Sequence, residues 1–152
     1  MIKPAAIVAM AVTIAPVASA APSSAAGLDA YRSKARPVLV FAPRHGDRQV
    51  VEQLGKLTAA GMDLAERDMP VLVVTGDDVA DLAGGDAEAR ASGEQLRKAY
   101  GVADGAFAVI LVGKDGGEKF RSDKPVEPSR LTGLVDEMPM RRNETRSTGS
   151  VK

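Results

Sequence analysis

Residues 36–54, RPVLVFAPRHGDRQVVEQL, set the architecture. Pro37 to Ala42 is a continuous apolar run of strand length, the pattern of a central strand buried on both faces. Ala42-Pro43 ends it, and Arg44-His45-Gly46 forms a polar loop. Asp47 is the residue type that caps helix starts. After it Val50, Val51, Leu54, Leu57, Gly61 and Leu64 recur at three- and four-residue steps, with Glu52, Gln53, Lys56 and Asp63 between them. The spacing predicts one amphipathic helix, weakened by Gly55 and Gly61. A buried strand that feeds a helix through a short polar loop is the first half of an open α/β sheet.

The same reading extends along the chain. Met69 to Thr75 (MPVLVVT) is a second buried-type strand, and the right-handed crossover rule makes it parallel to the first. Gly76 to Gly93 is polar and rich in Gly and Asp, and reads as a loop. Glu94 to Tyr100 is a short helix closed by Gly101. Phe107 to Val112 (FAVILV) is a third apolar strand. GKDGG, Gly113 to Gly117, is a hairpin turn by composition, and Glu118 to Arg121 returns as a short, half-polar fourth strand. Pro128 suits the first turn of a last helix, whose apolar face is Leu131, Leu134, Val135 and Met138. Pro139 is expected to stop it. The order β-α-β-α-β-β-α predicts a four-stranded mixed sheet with helices on both faces.

The N-terminus has a different character. Lys3 precedes an apolar run from Ala5 to about Val17, and Ala18-Ser19-Ala20 follows with small residues at cleavage spacing. This is the pattern of a secretory signal peptide over residues 1–20, and it predicts export to the periplasm or beyond. The run is shorter than the ~20 residues a membrane span needs and contains Pro16. Residues 21–34 read as a flexible leader, 35–140 as one domain and 141–152 as a polar tail. About 110 residues after the leader is an ordinary single-domain size.

Composition excludes several functions. The chain has no cysteine, which removes thiol redox catalysis, cysteine nucleophiles and thiolate metal sites together. His45 is the single histidine. Twenty basic residues balance 20 acidic ones, so no global charge draws the chain to nucleic acid or anionic lipid. With no Trp and few aromatics, stacking platforms for single strands are scarce. No cofactor motif is present: GKDGG lacks the phosphate-loop frame because Asp115 follows Lys114, and neither a dinucleotide fingerprint nor a nucleophile elbow occurs. Asp77, Asp78, Asp81 and Asp86 do not have calcium-loop spacing and read as a solvated loop.

The segments RPVLVFAP, LAERD, YGV, FAVILVGKDGGEKFRSDKPV and DEMPMRRNE together carry a likeness. From Ala35 to Glu144 the chain resembles the small exported bacterial proteins grouped as domain of unknown function 4174, which are related to segments of vertebrate sushi-repeat matrix proteins. The resemblance implies a thioredoxin-like fold and no settled activity. Redox-active thioredoxins follow the strand-end Ala-Pro with Trp-Cys-Gly-Pro-Cys-Lys. Here Ala42-Pro43 is followed by Arg44-His45-Gly46-Asp47-Arg48-Gln49, so His45 and Arg48 stand where the two cysteines would be. Those enzymes also carry a proline before the third strand, where this chain has Gly105-Ala106-Phe107.

The candidate ligand site is therefore the start of the first helix. Unpaired N–H groups and the helix dipole favour an anion there, and Arg44 and Arg48 can add bidentate contacts. Topology predicts that Arg121, at the end of the fourth strand, lies toward the same edge. Arg141, Arg142 and Arg146 read as helix-end complements. The sequence thus points to a non-catalytic exported binding module for a small anion or a protein partner. The alternative is an enzyme, or its remnant, built on His45 with Arg44, Arg48 and Arg121.

Overall fold

The computed structural model describes residues 27–84 and 87–149. The expected signal peptide, most of the leader and the end of the tail lie outside the described residues. Five strands form one mixed sheet: β1 Val38–Ala42, β2 Val71–Thr75, β3 Asp78–Asp81, β4 Ala108–Val112 and β5 Glu118–Ser122. Their spatial order is β3-β2-β1-β4-β5, with β1 and β2 parallel and every other pair antiparallel. The helices are α1 Arg48–Ala59, α2 Gly61–Glu66, α3 Gly93–Tyr100, α4 Pro128–Glu137 and α5 Pro139–Thr148.

The period-2 alternation of β1 divides the core. Val38, Val40 and Ala42 face Val50 and Leu57 of α1, Leu64 of α2, and Leu131 and Val135 of α4. Leu39 and Phe41 face the other way, onto Leu96 and Tyr100 of α3 and onto Leu28 and Tyr31 around a 3-10 turn at Asp29–Tyr31. Every residue of β1 is buried, as its unbroken apolar run requires. Residues of the expected leader thus contribute to the second core layer.

Four details differ from the sequence reading. A fifth strand lies in the Asp-rich stretch, where Asp78–Asp81 pairs antiparallel with β2. It alternates exposed and half-buried positions and carries only short side chains, so its hydrophobic signal is weak. The first helix is two, because Ala60 leaves helical geometry (φ −94°, ψ 14°) before Gly61. Along α1, Val51 is exposed while Gln53 is buried, reversing their expected sides. The Gln53 carboxamide forms two hydrogen bonds with the backbone of Val126: Nε2 donates to its carbonyl at 3.1 Å and Oε1 accepts from its N–H at 2.5 Å. Pro139 does not end helical structure. It occupies the first turn of α5, where its missing N–H costs nothing.

The start of α3 is tightly built. Ser92 and Gln95 form a reciprocal capping box, and Gly101 closes the helix in the left-handed region at φ 64°. Gly93 approaches the Gly76 carbonyl so closely that a Cβ there would lie 2.2 Å from the oxygen. No helix among the described residues is long and apolar enough to cross a membrane.

Candidate functional site

The sheet has two unlike poles. At one, the C-terminal ends of β1 and β2 meet the start of α1. Arg44, His45, Gly46 and Asp47 make a turn closed by the Asp47 N–H on the Arg44 carbonyl at 3.2 Å. Arg44, His45 and Arg48 are all exposed. None of the three makes an ion pair or side-chain hydrogen bond among the described residues. Asp47 occupies the N-cap position, but its side chain accepts no hydrogen bond from the helix. Only the Val51 N–H reaches back, to the Asp47 carbonyl at 2.9 Å. The start of α1 therefore lacks the side-chain capping that most helix starts use, and the N–H groups of Arg48, Gln49 and Val50 have no hydrogen-bond partner among the described residues.

Arg121 does not join this group. In register it lies opposite Ile110, which lies opposite Leu39, well back from the end of β1. Ile110 faces the α3 layer, the opposite side of the sheet from α1. The Arg121 guanidinium is held by Glu118 through Nε and Nη2, both at 2.9 Å, and also donates to the Tyr100 carbonyl at the end of α3. β5 runs parallel to β1, as expected, but the Arg121 side chain lies on the face away from α1 and serves as a helix C-terminal complement. Burial, with the Glu118 charge beside it, pushes the Tyr100 phenol up to about 12.

The opposite pole carries a charge network. Arg36 precedes β1 and is 1% exposed; its Nη1 donates to the Arg67 carbonyl at 3.0 Å and its Nη2 to Glu144 at 3.2 Å. Lys114, just past β4, donates to the same Glu144 oxygen at 2.6 Å and to Asp68 at 3.0 Å. Asp68 adopts φ 53°, a conformation for which Asp is better suited than most side chains. Burial pushes the Glu144 carboxyl up, but the bonds from Lys114 and Arg36 outweigh that and hold it below the usual carboxylate range. Arg67 binds both Asp136 oxygens, at 2.9 and 3.1 Å, and Arg141 donates to the Glu66 carbonyl at 3.1 Å. Arg141 thus complements the end of α2, and the segment expected to be a tail is a helix fastened to the body.

Sequence reading missed Arg36, Asp68, Lys114 and Glu144 as a group. Its available signal was modest: Arg36 and Lys114 stand immediately outside two buried strand runs, where a charge has to find a partner or reach solvent. Of the Asp-rich stretch, Asp81 accepts from the Ala83 N–H at 2.8 Å and Asp77 from the Glu94 N–H at 3.3 Å. Asp86 lies outside the described residues. No cluster of three or more metal-ligating side chains occurs among the described residues.

The sheet order, the parallel β1–α1–β2 unit, the β4–β5 hairpin and the helices on both faces define a thioredoxin-like domain. Solved structures agree at the level of fold. The reduced 2-Cys peroxiredoxin of Plasmodium vivax superposes with a TM-score of 0.56 at 17% identity, covering 78% of this chain and 84% of that one. Thioredoxin peroxidase I of Plasmodium yoelii gives 0.55 at 16% identity, covering 82% of each chain. With no cysteine, this chain cannot perform their type of thiol chemistry. The model of the domain of unknown function DUF4174 matches residues 27–144, and the chain belongs to that family. It is also 27% identical over 132 residues to coiled-coil domain-containing protein 80 of Danio rerio. That match covers 77% of this chain and 15% of the fish protein's length.

Proposed function

We propose that this is an exported, non-catalytic binding domain that takes a small carboxylate- or phosphate-bearing ligand at the start of α1. The observation that carries the reading is the uncapped first turn of α1, flanked by Arg44 and Arg48 with no acid paired to either among the described residues. An anion there gains backbone N–H donors, the helix dipole and two guanidinium forks. His45 adds a further polar contact at the tip of the turn. Its exposure and lack of an orienting partner argue against general acid–base work. Arg121, held by Glu118 and Tyr100, is left out of the site. Export is supported by the pattern of Lys3, the following apolar run and Ala18-Ser19-Ala20.

The test is an amide-resolved NMR titration of the mature protein with inorganic phosphate and with acetate. Saturable shifts centred on Gly46 to Val50, lost in an Arg44→Ala/Arg48→Ala protein, are the expected result. Shifts spread evenly over the surface, or surviving the double substitution, would count against the site.

A further inference from the structure

A groove lies where β3 ends, between the start of β2 and the α1–α2 pair, away from the α1 start. On the α1–α2 face it encloses about 370 Å³, with Leu57, Leu64, Met69, Val71 and Leu82 among its walls. That is within the size range of ligand sites, which are mostly apolar with a few polar groups. Gly61 also lines it, and a Cβ at Gly61 would meet nothing within 4 Å. The next residue, Met62, is 89% exposed, although it is a large apolar side chain. On the opposite face a second hollow is lined by Tyr31, Lys34 and Glu88. Asp68, Pro70 and Asp81 line both, so the two hollows meet around the sheet edge.

The edge itself is open. β3 is the terminal strand, and among the described residues no strand lies on its outer side. Its carboxylates are uncompensated: Asp78, Asp81 and Glu88 make no ion pair among the described residues. Lys34 is a single positive charge among them, and Asp68 is already held by Lys114. Like charges on two such edges oppose self-pairing through β3, so a second copy of this edge is a poor occupant.

We propose that the β3 edge binds an extended segment of a partner protein that carries basic residues together with apolar ones. The segment adds to the sheet beside β3, as peptides add to open edges elsewhere. Strand geometry then sends alternate side chains to opposite faces. β3 shows how the faces divide. Asp78 and Ala80 pair with Thr75 and Val73 on the α1 side, and Leu82 packs into that core layer, whereas Val79 and Asp81 pair with Val74 and Leu72 on the α3 side. Each face of the edge therefore offers a carboxylate, Asp78 on the α1 side and Asp81 with Glu88 on the other, and the apolar groove opens at the Asp81 end, so a partner segment meets acids on both faces and apolar walls at one end. A wholly apolar segment would lay its side chains against carboxylates on both faces. A segment with acids would meet like charge.

The test uses a synthetic peptide of alternating valine and lysine, its valine–glutamate counterpart, and amide-resolved titration of the mature protein. The expected result is saturable binding of the lysine peptide, with shifts at Asp78 to Leu82 and along Leu57 to Ala65, and none from the glutamate peptide. Gly61→Leu fills the groove and Asp81→Lys inverts the edge charge; each is expected to weaken binding at least about tenfold. Asp81→Lys is a substitution at an edge and keeps the proposal testable if Gly61→Leu perturbs α2. Equal binding of the two peptides, shifts away from β3, or unchanged affinity in Asp81→Lys would overturn it. These amides are distinct from Gly46 to Val50, so failure here and failure of the anion site are read separately.

Discussion

The two poles of the sheet handle charge in opposite ways. At the start of β1, Arg36 and Lys114 are withdrawn from solvent and converge on one carboxylate oxygen of Glu144. At the end of β1, Arg44 and Arg48 are exposed and engage no acid among the described residues. A buried charge must be matched, or its desolvation goes uncompensated; an exposed one is already matched by water. The first pole is therefore part of what holds the fold together, and the second is free to meet something else. In redox-active thioredoxin-like proteins that second pole carries the chemistry. Here the scaffold remains and the thiols are gone.

The contrast breaks most visibly if the buried pole proves unimportant. Arg36→Met removes a guanidinium from a site that also leaves the Arg67 carbonyl without its donor. It is expected to cost about 3 kcal/mol, read as a lowered urea midpoint. Gln53→Leu is next, because it strands both backbone groups of Val126 in the core. About 2 kcal/mol is expected by the same measurement.

Acid sharpens the comparison. The Glu144 carboxyl is depressed in the folded protein, so its contribution is present above the unfolded value of about 4.3 and is lost as pH falls through the lower folded value. The urea midpoint should fall across that window, and Glu144→Gln should show a flatter acid limb. At the alkaline end, the raised Tyr100 phenol predicts ultraviolet tyrosinate absorbance that is still rising as pH approaches about 12. The smallest effect belongs to the exposed pole. Arg44→Ala and Arg48→Ala should each change stability by no more than about 0.5 kcal/mol.

How much of this could be read from the sequence depended on the range of the interaction. β1, β2 and β4 announce themselves as apolar runs, and their burial follows. The close of α3 at Gly101 is equally local. β3 was hidden because Asp-Val-Ala-Asp buries too little to show a pattern, and because its edge position tolerates acids facing water. α5 was hidden because it buries no residue completely, so no apolar stripe marks it, and its initial proline reads equally well as a stop. The charge network draws the buried Arg36 and Lys114 and the more exposed Asp68 and Glu144 from four separate segments, and no local rule links them. The candidate site was the reverse case. The Arg44–Arg48 loop was located from one strand-loop-helix stretch, whereas placing Arg121 required knowing which face of its strand it occupies.

The most direct measurement is a urea midpoint for wild type and for Arg44→Ala/Arg48→Ala, each with and without inorganic phosphate. A ligand that binds only the folded state raises its stability by mass action. The two proteins should unfold together without phosphate, and phosphate should raise the midpoint of the wild type alone. A double variant that is already unstable, or one that phosphate stabilises as much as the wild type, would contradict the division between a pole that holds the fold and a pole that binds.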